Sequence, residues 1–151
     1  MDAIVQVSEL SLYSDENDPI LRNISFGLTR GETAIAVDLP KDKRKALLML
    51  LIGEEKPDTG QILMVGRNIV SISDKKALSM RRNEIGFVPE NLTLPHRTVL
   101  ESLRFKMNCI GHPAETEAKI DEALRDTGLS SKKNLRTEDL TQIEKRKVGI
   151  A

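Results

Sequence analysis

Residues 31–63, GETAIAVDLPKDKRKALLMLLIGEEKPDTGQIL, constrain the fold of this chain more than any other stretch. Glu32 to Val37 is a short, nearly continuous apolar run, as expected of a strand covered on both faces. A polar loop follows, then an apolar helix from about Asp42 to Ile52 that stops at Gly53. With apolar residues around most of its circumference, it is expected in the core. After the loop GEEKPDTG, QILMV returns as a strand with Gly66 in the next turn. Strand, loop and helix in this order lay out a phosphate-binding site, yet the loop DLPKDKRK holds no glycine.

The flanking sequence extends the pattern to an α/β domain. AIVQVSELSLY alternates apolar and polar residues, and ISFGL follows the turn-rich SDENDPILRN, so the first third reads as antiparallel strands. SISDKKALSMRRN predicts a short helix with Ser73 as N-cap, and EIGFV (Glu84 to Val88) a compact strand ended by Pro89. Thr98 with Glu101, and Thr141 with Glu144, are spaced as capping boxes, each opening a helix. Between them, Pro113 marks the first turn of a helix ending at Gly128. Ile120, Ala123 and Leu124 form its buried stripe, with Glu115–Lys119 and Asp121–Arg125 as favourable pairs one turn apart. No internal repeat or low-complexity tract interrupts the chain.

At 151 residues the chain fits one domain and buries roughly two-thirds of its unfolded surface. Lys plus Arg and Asp plus Glu balance at 23 each, and aromatics are only 3%, which argues against a nucleic-acid surface. The lone Cys109 excludes an internal disulfide and suits a reducing compartment. The N-terminus MDAIVQVSEL has no secretion-signal pattern, and the apolar run Ala46 to Ile52 is too short to span a bilayer. A cytoplasmic location is the expectation.

Four stretches together resemble the nucleotide-binding domain of ABC transporters. LSLYSDENDPILRNISFGLTRGETAIAV is similar to the family's opening, with Tyr13 at the position of an aromatic that stacks on adenine. GEEKPDTGQILMVGRNI resembles G-x-x-x-P-x-x-G-x-I-x-x-x-G, and IGFVPENLTLPHRTVLESL resembles the Q-loop segment. LTQIEKRKVGIA is similar to the signature L-S-G-G-E-x-x-R-V-x-I-A. The resemblance implies an α/β, P-loop NTPase-type ABC ATPase-like domain spanning 1–151. Residues 1–89 form its β-rich part and a partial parallel core, and 90–151 its helical subdomain. It also implies a domain short at the C-terminus, before the Walker B carboxylates and the switch histidine.

Against the family's G-x-x-G-x-G-K-[ST]-T, the loop reads Asp38, Leu39, Pro40, Lys41, Asp42, Lys43, Arg44, Lys45, Ala46. All three glycines are replaced, Arg44 stands for the phosphate-binding lysine, and Lys45 for the magnesium-binding hydroxyl. Glu90 stands for the Q-loop glutamine. Thr141 keeps the signature hydroxyl, whereas Gln142 and Ile143 replace two glycines that admit a partner's γ-phosphate. A phosphate cradle needs successive inward N–H groups in conformations that glycine adopts cheaply, and each other residue there costs about 1–2 kcal/mol. Without hydroxyl and aspartate, magnesium loses its protein ligands.

These losses imply a chain without catalytic residues of its own, with ATP and Mg2+ expected only if it is a fragment of a longer ATP-binding subunit. Lys41, Lys43, Arg44 and Lys45 gather at a helix start, where a bound anion would relieve their repulsion; the alternative is a solvated turn capped by Asp42. Tyr13 is either an adenine platform or a strand residue half covering the core. Glu90 with His96 forms no recognisable acid–base site, His112 precedes Pro113 as a helix-entry residue, and EKRK (Glu144 to Lys147) reads as a wet helix face opposite Val148 and Ile150. In the family, the surface after the Q-loop receives a helix of the membrane permease. Leu92, Leu94, Val99 and Leu103 either line that groove or pack the helical part. Unpaired strand edges imply a homo-oligomer or a second ABC ATPase subunit, at a site peripheral to the inner membrane when a permease is bound.

Overall fold

The computed structural model describes residues 3–95, 97–110 and 116–151, and the chain divides into two compact units, the first ending at Arg81 and the second starting at Arg82. The sequence pattern places this division after Pro89.

The first unit is built on an antiparallel sheet of β1 (Ala3–Tyr13), β2 (Pro19–Thr29), β3 (Thr59–Met64) and β4 (Arg67–Asn68), in the order β2-β1-β3-β4. The apolar alternation of β1 is broken by a bulge at Glu9, φ +50°, which turns both Val7 and Leu10 into the core. Gly60 crosses behind that bulge, where an added Cβ would lie 2.6 Å from the Glu9 and Ser8 carbonyl oxygens. Only glycine fits there. Helix α1 (Lys41–Leu51) lies against β2, and α2 (Asp74–Asn83) begins directly after Ser73. Arg81 ties α2 to the end of α1, donating to the Gly53 carbonyl at 2.8 Å and pairing with Glu54 at 3.2 Å.

Three expectations are corrected here. Glu32–Val37 is not a strand: residues 32–38 are exposed, Ile35 by 81% and Val37 by 73%. Glu84–Val88 is likewise irregular, so the partial parallel core is not formed. The reason is pairing: an apolar run becomes a strand only beside another backbone, and the described sheet includes neither segment. Third, α1 buries one stripe, Ala46 and Leu50, while Leu48 is 44% exposed.

The second unit is helical. Helix α3 (Val99–Ile110) opens on the expected capping box, with Thr98 N–H donating to Glu101 at 2.9 Å and Glu101 N–H to Thr98 Oγ1 at 3.2 Å. Helix α4 (Thr116–Asp126) buries Ile120 and Leu124 and is stopped by Gly128, φ +69°. Pro113, Glu115 and His112 lie outside the described residues. Asp121, expected to pair with Arg125, instead accepts from Lys133 at 2.6 Å. Helix α5 (Gln142–Ile150) carries the second capping box and buries Val148, while Ile150 is 68% exposed. Val99, Leu103, Ile120, Leu124, Leu129, Leu140 and Val148 form one apolar core. No described helix is long and apolar enough to cross a membrane.

Candidate functional site

The loop that sequence aligned with a phosphate cradle is mostly helix. Pro40 is the N-cap of α1, with φ −52° and ψ 151°, and the helix runs from Lys41. The proline ring fixes its φ near the value a helix start needs, a signal that placing the start at Asp42 overlooked. Asp42 therefore sits inside the first turn and does not cap it. From the second turn onward, helical amides are committed to carbonyls four residues back, and Arg44 N–H donates to Pro40 O at 2.9 Å. The amides of Arg44 and Lys45 are thus tied into the helix, and bulky side chains stand at every position from Lys41 to Lys45. Asp38, φ +54°, keeps a left-handed backbone at the position of the first family glycine.

The cationic side chains radiate from this turn. Lys41, Arg44 and Lys45 are exposed and Lys43 is half-buried, and Arg44 Nη1 donates to the Leu39 carbonyl at 3.2 Å. Tyr13 is half-buried at the end of β1, across from Pro19, and its N–H donates to the Asp58 carboxylate at 2.8 Å. Among the described residues, no group of three His, Cys, Asp or Glu side chains is placed to hold a metal ion.

A second concave site lies within the helical unit, a hollow of about 480 Å3 between the 90–94 segment and the start of α5. Leu92 and Leu94 line it, with Glu90, Gln142, Lys145 and Arg146 around them. The structure divides the three predicted groove leucines and the valine: Val99 (0% exposed) and Leu103 (3%) are core, and Leu94 packs partly against that core. Arg146 Nη2 reaches the Glu90 carbonyl at 3.5 Å, joining residues 56 apart in sequence. Arg146 is exposed and Lys145 half-buried, in keeping with the wet face expected of EKRK, and both also border the hollow. Nothing local betrayed their place, because the hollow is made by a long-range approach. His96 lies outside the described residues.

The start of α5 is electrostatically self-sufficient. Glu144 accepts from Thr141 N–H at 2.9 Å, Thr141 Oγ1 at 3.0 Å and the Lys132 ammonium, and these hold its carboxyl down to about 2. The Thr141 hydroxyl in turn accepts from Glu144 N–H at 3.3 Å.

The methionine import ATP-binding protein MetN of Geobacillus kaustophilus is 28% identical over 153 residues, covering 100% of this chain and 44% of MetN. The lipoprotein-releasing system ATP-binding protein LolD of Anaplasma marginale is 28% identical over 155 residues, covering 100% of this chain and 69% of LolD. Among solved structures, cbiO1 from Clostridium perfringens, part of the ABC transporter complex cbiONQ, superposes with a TM-score of 0.77 at 24% identity, over 99% of this chain and 60% of that one. The ATP-binding cassette MJ0796, a dimer bound to ADP and Pi, gives 0.74 at 18% identity, over 96% and 67%. These two show the fold alone. The chain thus spans less than half of MetN. The sequence model of the ABC transporter family matches residues 45–151, from the second turn of α1 through α5, and the chain belongs to that family.

Proposed function

We propose that this chain is a non-catalytic ABC ATPase-like partner of a membrane transporter, keeping the shape of an ATP-binding subunit while ATP binding at its own loop is lost. The observation that carries this is the helix start at Lys41, with side-chain-bearing residues from Lys41 to Lys45 where a phosphate cradle would need glycines. The hollow lined by Leu92 and Leu94 supplies a docking surface for a permease helix, which would place the chain at the cytoplasmic face of a membrane. Titration calorimetry with ATP and magnesium tests the loss. No binding heat is expected, and micromolar affinity would overturn the proposal. A parallel variant combining Asp38→Gly, Lys41→Gly, Lys43→Gly, Arg44→Lys and Lys45→Ser should gain affinity if the loop is the cause.

A second reading has its own observation. Ile35 and Val37 lie open to water on a strand-forming segment, which favours a strand supplied by further chain or by another subunit. On that reading, residues 1–151 are the N-terminal part of an ATP-binding subunit that energises transport when complete. A coding frame running on into an apolar strand ending in Asp or Asp-Glu distinguishes the two.

A further inference from the structure

Lys145 and Arg146 border the hollow from the first turns of α5 with no carboxylate to meet them. Elsewhere in the helical unit, cations are matched. Lys133 reaches Asp121 at 2.6 Å and Glu117 at 3.4 Å, Lys132 pairs with Glu144, and Arg136 pairs with Glu138. Among the described residues, neither Lys145 nor Arg146 takes part in an ion pair. Arg146 donates to an uncharged acceptor, the Glu90 backbone carbonyl, at 3.5 Å, the far edge of hydrogen-bond range. Lys145 is half-buried, and an ammonium partly stripped of water without a counter-charge carries a cost that an incoming carboxylate relieves.

We infer that the hollow takes a permease segment bearing a carboxylate side chain, held by Lys145 and Arg146, with an aliphatic side chain one helical turn away seated on Leu92 and Leu94. This rests on the docking surface proposed above and adds to it the charge and pattern of the partner. Two carboxylates also stand on the rim, and neither serves the cations. Glu138 is already paired with Arg136, and Glu90 is exposed, where water and salt screen its charge more than that of half-buried Lys145. Counter-charge is therefore wanting on the α5 wall, so the acidic end of an occupant lies there. The space suffices: the hollow of about 480 Å3 falls within the usual range for ligand sites, about 300–1,000 Å3. Side chains one turn apart on a helix lie about 5–6 Å from each other, so an apolar and an acidic one can share it.

Two helix-stapled peptides serve as the probe, alike except that one carries leucine with glutamate one turn later and the other leucine with lysine. Each is titrated into the isotope-labelled full chain and read from backbone amide shifts. The acidic peptide should give saturable shifts at residues 90–94 and 142–146 and bind about tenfold more tightly than the basic one. Lys145→Glu with Arg146→Glu should reverse that order. Lys145→Gln with Arg146→Gln, a milder pair should charge reversal unfold α5, should abolish the preference. Equal affinity for both peptides in the native chain overturns the inference and leaves the docking surface standing. Silence at both segments with either peptide overturns the docking reading with it. Saturable shifts there on concentrating the chain alone assign the hollow to a second copy, which overturns it too. Binding of ATP, which would defeat the proposed loss of nucleotide, is read in the separate calorimetric titration.

Discussion

Gly149 lies so close to Leu92 that a Cβ added to it would stand 2.7 Å from Leu92 Cδ2 and 3.3 Å from Val88 Cγ1. The bare helix face lets α5 settle onto the 88–92 segment, which also floors the hollow. Gly149→Val should therefore destabilise the helical unit by about 1–3 kcal/mol in chemical denaturation. Gly149→Ala should be nearly neutral, because a helix-propensity gain of about 1 kcal/mol offsets the displaced Leu92 tip. A valine variant as stable as the native chain would contradict the close approach.

Val65 occupies a left-handed backbone position, φ +49°, in the turn between β3 and β4, followed by Gly66 at φ +72°. Its side chain is 57% exposed, so little packing offsets the strain. Val65→Asn should raise stability by about 1 kcal/mol while keeping the N–H donated to the Ile4 carbonyl at 2.8 Å, with a higher Tm as the readout.

Glu144 governs part of the acid limb. Its folded pKa of about 2 lies below its ordinary 4.5, so the stability it contributes is present above 4.5 and lost as pH falls toward 2. Glu144→Gln should flatten the dependence of Tm on pH in that window while leaving the neutral-to-alkaline limb parallel to the native one. An unchanged slope would remove Lys132 and Thr141 as its effective partners.

Leu124 is 1% exposed at the centre of the helical core. Leu124→Ala should cost about 2–5 kcal/mol, measured by urea denaturation of the full chain.

Ile35→Lys combined with Val37→Lys should lower self-association in light scattering, since both side chains face solvent on an apolar run. An unchanged mass would show that this run plays no part in association.

What was legible in the sequence was local. Thr98 with Glu101 and Thr141 with Glu144 announced two helix starts because a capping box is closed within four residues. Gly53, Gly66 and Gly128 likewise marked their turns through left-handed backbone. What misled was non-local. Thr33–Val37 has the composition of a buried strand, but composition states a capacity, and only a neighbouring backbone converts it. The three replaced glycines spoke against a cradle, whereas the helix start at Lys41 depended on Pro40 fixing it. The hollow was half visible, through Leu92 and Leu94. Its other wall, with Lys145 and Arg146, appears only once α5 folds back over the 90–94 segment.

The early start of α1 also sets how a cradle could be built at this loop. A single glycine introduced at Lys41, Lys43 or Arg44 weakens the helix by about 1 kcal/mol without opening a cradle, so only several changes made together could reshape this loop.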